Sequence, residues 1–103
     1  MEIEQIRKLC AERKIKWSLH AAQRIMERGI DRADVLSCLE NGEIIEDYPT
    51  DFPNPSCLVF GYSVANKVLH VVVGSNGDML FIITAYFPTT EMFEADLKTR
   101  KVR

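Results

Sequence analysis

The chain has 103 residues, 47% of them hydrophobic and 27% charged, with a formal net charge of -2. That is enough chain for one globular domain and too little for two, so residues 1–103 are read as a single unit with its core in about residues 15 to 100. No apolar run approaches a membrane span, and the acidic start "MEIEQIRKLC" lacks the basic-then-apolar order of a signal peptide; a cytoplasmic protein with no membrane partner is expected.

The first predicted element is a helix over "EIEQIRKLCAERK", with Ile3, Ile6, Leu9 and Cys10 at helical spacing. "IKWS" breaks that pattern, and Ser18 is a good N-cap for a second helix ending at Gly29. At about 100° per residue, Arg24 and Arg28 fall about 40° and 80° around the axis from His20. Ala21, Ala22, Ile25 and Met26 form the apolar stripe beside this basic row. Asp31 caps a third helix, "RADVLSCLEN", with Val35, Leu36, Cys38 and Leu39 inward and Gly42 at its end.

After Gly42 the period becomes that of strands: "EIIEDY", "SCLVFGYSV", "KVLHVVVG" and "MLFIITAYF". The loop "YPTDFPNPS" separates the first two, and "TTEMFEADLKTRK" follows as a short helix or an ordered tail. Short turns between strands predict antiparallel neighbours. The expected fold is α+β, N-terminal helices packed on a four-stranded, mainly antiparallel sheet.

The loop between the last two strands sets where His70 points. A two-residue turn of Asn76 and Gly77 would pair His70 with Ile83 on the most apolar face. A three-residue loop of Ser75, Asn76 and Gly77 instead puts Val68, His70, Val72, Leu80, Ile82, Thr84 and Tyr86 on one face. Leu69, Val71, Val73, Phe81, Ile83, Ala85 and Phe87 then share the other. The second register is preferred because it leaves no unpaired imidazole in the main core.

Charge is segregated along the chain. Residues 1–32 hold eight Lys or Arg against five acids, residues 33–60 hold six acids and no base, and "KTRKVR" closes the chain. Such asymmetry suits a basic surface for a polyanion and an acidic one for another partner, or else two solvated faces. Cys10, Cys38 and Cys57, odd in number and without close-pair zinc spacing, read as reduced and mostly buried thiols.

His20 and His70 are the side chains whose ordinary pKa lies nearest neutrality. With Arg24, Arg28, Thr84 and Tyr86, they suit metal-free phosphodiester chemistry: one imidazole takes the 2′-hydroxyl proton, the other protonates the leaving oxygen. Arginines would hold the phosphate, with Lys16, Arg100 and Lys101 as further RNA contacts. The bland alternatives are a capping role for His20, a hydrogen-bonded structural role for His70, and ion pairs from the arginines to Glu27 or Asp31. No glycine-rich phosphate loop, Gly-x-Ser-x-Gly elbow or His-Glu-x-x-His pair is present, and neither a metal nor another cofactor is expected.

Four ordered stretches, "WSLHAAQRIMERGI", "ENGEIIEDYP", "LHVVVG" and "IITAYFP", resemble the pattern of the domain-of-unknown-function family 4258. Phe93 stands where that family often has a tryptophan. The resemblance implies a fold similar to the barnase, colicin and RelE type of small ribonuclease. It also implies a toxin neutralised by a protein antitoxin, of the zinc-ribbon or helix-turn-helix kind found beside MqsR-type toxins. Carried over by position, it marks His20, Arg24, Arg28, His70, Thr84 and Tyr86 as the site of an endoribonuclease. The alternative is a non-catalytic RNA- or protein-binding module of the same fold.

Overall fold

A computed structural model describes residues 1–102. Among them lie three helices, α1 (Ile3–Ala11), α2 (Leu19–Glu27) and α3 (Arg32–Asn41). Five strands accompany them, β1 (Ile15–Trp17), β2 (Glu43–Tyr48), β3 (Ser56–Tyr62), β4 (Val68–Ser75) and β5 (Leu80–Tyr86). The class is α+β, as expected. The sheet is larger than expected and mixed, in the order β1-β5-β4-β3-β2.

The added strand is β1, which pairs parallel with the start of β5, Ile15 opposite Leu80 and Trp17 opposite Ile82. Three residues are too few to carry a period-two signal, and the partner lies at the far end of the sequence. The predicted first helix stops at Ala11 rather than running on to Lys14. Arg13 then takes a left-handed conformation (φ 57°), turning the chain into β1.

The other two helices begin and end as their caps dictate. Ser18 Oγ accepts from the Ala21 N–H at 3.0 Å, and Gly29 beyond α2 has φ 72°. Asp34 accepts from the Asp31 N–H at the head of α3. The helix layer covers one sheet face with Ile6, Leu9, Cys10, Ile25, Val35, Cys38 and Leu39. Cys57, Val59, Leu69, Val71, Val73, Leu80, Ile82 and Ala85 meet them from the sheet. All three cysteines are free and buried, with burial pushing Cys38 to about 12 and Cys57 to about 11. Such thiols are protonated and poor nucleophiles.

Two bulges decide which side chains share a face. On β2, the register slips between Ile44 and Glu46, so Glu43, Glu46 and Tyr48 lie opposite Phe60, Leu58 and Ser56. On β5, Val73 pairs with Ile82 but Val72 pairs with Thr84, leaving Ile83 as the extra residue. This corrects the expected split. His70, Val72, Thr84 and Tyr86 do share a face, whereas Leu80 and Ile82 belong to the core and Ile83 is exposed. The loop before β5 spans Asn76 to Met79, since Ser75 pairs with Leu80, with Gly77 at φ 97°.

Residues 88–101 are an ordered tail, not a helix. Phe93 and Arg100 form an antiparallel bridge, and Asp96 accepts from the N–H groups of Lys98 and Thr99. Leu97 sits at the bend with φ 58°. The segment lies over the sheet face that the helices leave open, with Phe93 only 2% exposed.

Candidate active site

Helix α2 carries the basic row. Its apolar stripe is narrower than expected: Ala21 and Ile25 are buried and Ala22 half-buried, but Met26 is 73% exposed. His20 and Arg24 are exposed and, among the described residues, engage no side-chain hydrogen bond or ion pair. Arg28 ends the helix differently. Its Nη1 donates to Thr84 Oγ1 at 3.0 Å and to the Ala85 carbonyl at 2.9 Å. This contact is possible because β1 pairs only with Leu80, Phe81 and Ile82. The outer edge of β5 beyond Ile82 is free, and the guanidinium takes the place of a strand there. Neither arginine pairs with Glu27 or Asp31.

On the open face, His70 stands directly opposite Tyr86 in the β4–β5 ladder. The tail buries its ring completely, 0% exposed, between Phe93 at 4.7 Å, Tyr86 at 5.3 Å and Phe60 at 5.9 Å between ring centres. Nε2 lies 2.7 Å from the Leu97 carbonyl and Nδ1 lies 3.3 Å from the Tyr86 hydroxyl. A carbonyl only accepts, so Nε2 carries the proton; in the neutral ring Nδ1 then accepts from Tyr86. Burial holds His70 below its ordinary pKa, against the opposing pull of the Leu97 carbonyl and Glu46.

A second cluster adjoins it. Arg100 Nε donates to Glu46 Oε2 at 2.8 Å, and the Tyr48 hydroxyl donates to Glu46 Oε1. Burial pushes the Glu46 carboxyl up, but these two donors outweigh it and hold the group below the usual carboxylate range. Burial raises the Tyr86 phenol, while Arg100 and Arg28 draw it the other way. Lys98 reaches Glu43 at 2.5 Å and lies 4.8 Å from the Phe60 ring.

The structure thus brings together His70, Tyr86, Thr84, Arg28 and Arg100. His20, Arg24 and Lys16 stand apart on α2 and β1, exposed, and Lys101 is exposed with its backbone N–H bonded to the Met92 carbonyl. No contact joins the two histidines: His70 lies beneath the tail on the face away from the helices. Glu46 and Tyr48 are the additions that sequence reasoning missed. Their period-two spacing within "EIIEDY" was the available signal, as was the match between a base-free stretch and a basic end. Among the described residues, no group of three His, Cys, Asp or Glu side chains converges as a metal-holding set.

A helix layer on one face of a mixed sheet, with polar and aromatic groups gathered on the other, defines a small α+β domain with a two-sided sheet. Residues 17–87 match the model of the family described as "Domain of unknown function (DUF4258)", and the chain belongs to that family. Neither the curated proteins nor the solved structures give a match. Among the described residues, no helix is long and apolar enough to cross a membrane.

Proposed function

We propose that the chain is a metal-independent endoribonuclease of the toxin type, held in check by an antitoxin protein in the cytoplasm, on a barnase- or RelE-like fold. One observation carries the reading: Arg28, at the end of the basic row on α2, is anchored to Thr84 on β5. That bond links an RNA-facing helix to the strand bearing Tyr86, whose neighbour across the ladder is His70. The attacking group is the RNA's own 2′-hydroxyl, since the arginines supply charge stabilisation and the histidines supply acid and base. His20 and Arg24, exposed and unengaged, meet the substrate first, with Lys16, Arg100 and Lys101 extending the track for the phosphates.

The complete burial of His70, with both ring nitrogens engaged, favours a second reading, a non-catalytic RNA- or protein-binding module. Purified protein incubated with RNA and with DNA of the same sequence separates the two. The nuclease leaves 2′,3′-cyclic or 3′-phosphate ends on RNA alone and tolerates chelator. His20→Ala slows it by about 10²–10⁴-fold while the far-ultraviolet spectrum is unchanged. Binding of RNA without cleavage, unaffected by His20→Ala, selects the module.

A further inference from the structure

The tail is seated on the sheet in an unusual manner. Every backbone-to-backbone hydrogen bond made by residues 92–101, among those described, stays inside the tail: Met92 and Phe93 to Thr89, Glu94 to Thr99, Leu97 to Glu94, Lys101 to Met92. What holds it to the sheet is side chains. Phe93 enters against His70, the Leu97 carbonyl accepts from His70, Lys98 meets Glu43 and Arg100 meets Glu46. The tail can therefore leave as a unit without breaking any rung of the sheet. Its seat is a built surface, with Phe60 and His70 forming an aromatic floor and Glu43 and Glu46 a charged wall. The β2 bulge is what aims both carboxylates at the same side. An open groove of about 220 Å³ lies beside the Lys98 end of the seat, lined by Asn41, Glu43, Phe60, Tyr62 and Lys98.

We infer that this face is a peptide socket, that residues 88–101 occupy it as an internal ligand, and that a segment of a partner protein replaces them. The chemistry of the occupant fixes that of the partner. It carries one aromatic side chain for the pocket over His70 and, five and seven residues on, two cations for Glu43 and Glu46. An RNA strand is a poor substitute, because the bare seat presents carboxylates to its phosphates. The same carboxylates reject acidic peptides, which gives the socket its selectivity.

A synthetic fluorescent peptide covering residues 88–101, titrated into the full chain by anisotropy with no RNA present, tests this. The tethered tail competes at an effective concentration on the order of millimolar, so wild-type protein binds the peptide weakly. Reversing the exposed cations of the tail (Lys98→Glu with Arg100→Glu) frees the socket, and affinity for the wild-type peptide rises at least about tenfold. Adding Glu43→Lys with Glu46→Lys to that protein re-pairs the socket with its own reversed tail and abolishes binding of the wild-type peptide. Glu43→Lys with Glu46→Lys alone repels the unchanged tail, and that protein binds a peptide bearing the reversed charges at least about tenfold more tightly than the wild-type peptide. A peptide carrying Phe93→Ala binds at least about tenfold more weakly. Circular dichroism establishes that each variant is folded, and none of them removes a core side chain from the protein. Equal affinity of wild-type and tail-reversed chains, or binding indifferent to the sign of the socket's charges, overturns the inference. Dimerisation by exchange of tails assigns the socket to a second copy and overturns the partner reading. Failure of RNA cleavage bears only on the nuclease proposal, since this titration contains no RNA.

Discussion

His70 makes an uncommon compromise for a polar side chain. Placing it away from the helices kept it out of the main core, yet the tail buries it all the same. Its two nitrogens are satisfied there, so the cost of leaving water is offset by hydrogen bonds. Because burial lowers its folded pKa below the unfolded value, the unfolded chain takes up the proton more readily. Its contribution to stability is complete above the unfolded value of about 6.5 and is lost as pH falls through the folded one. The urea midpoint of the wild type should therefore drop between about pH 7 and pH 5.5, and the His70→Gln midpoint should change less across the same range. Glu46, whose folded pKa is also lowered, acts in a separate window: its stabilisation holds above its unfolded value of about 4.3 and fades at lower pH. A parallel fall in wild type and variant would trace the neutral-range loss to groups other than His70.

At the scale of elements, the β5 bulge makes a sharp claim about two adjacent isoleucines. Ile82 is 3% exposed beneath the helices, while Ile83 is 46% exposed on the other side. Ile82→Ala should cost about 2–4 kcal/mol in chemical denaturation, whereas Ile83→Ala should cost less than about 1 kcal/mol. Equal losses would mean that the bulge lies elsewhere. Reading β5 as an unbroken alternation put Ile83 inside and Ile82 outside, because a one-residue insertion leaves no mark on composition and reverses every face after it. Helices α2 and α3 were legible for the opposite reason: Ser18, Gly29, Asp31 and Gly42 act locally, each on its own turn. Strand β1 has no such local signal, only a distant partner. The tail was equally opaque, since its shape depends on contacts with His70, Glu43 and Glu46 rather than on periodicity. Of the candidate site, the pairing of His70 with Tyr86 and the shared side of Glu46 and Tyr48 could be read from parity, but the alignment of Glu43 with Glu46 needed the β2 bulge. The anchoring of Arg28 needed the knowledge that β1 stops short.

In the whole molecule, the segregated charges of the sequence largely meet one another. The N-terminal ammonium reaches Asp47, Lys98 reaches Glu43 and Arg100 reaches Glu46. The acidic strand that looked available for a basic partner already has one within the chain. Among the described residues, His20 and Arg24 form no ion pair, and neither do Lys8, Lys16, Lys67 and Lys101; the row of His20 and Arg24 is the part of that surface the nuclease proposal needs. The topology also sets an order of events. β2, β3, β4 and β5 form a meander of sequence neighbours, whereas β1 must find β5 across most of the chain. Loop-closure entropy favours early assembly of the meander and late arrival of β1. Trp17, the chain's single tryptophan, lies on β1 with the Arg32 guanidinium 5.0 Å from its ring. Stopped-flow refolding should show far-ultraviolet signal growing ahead of tryptophan fluorescence, and Ile15→Val should speed unfolding while leaving the refolding rate nearly unchanged. On the ribosome the same geometry means that Ile15 and Trp17 emerge long before Leu80 and Ile82 are made. A nascent chain must hold that strand unpaired until β5 has been made, and its lone indole reports the moment the wait ends.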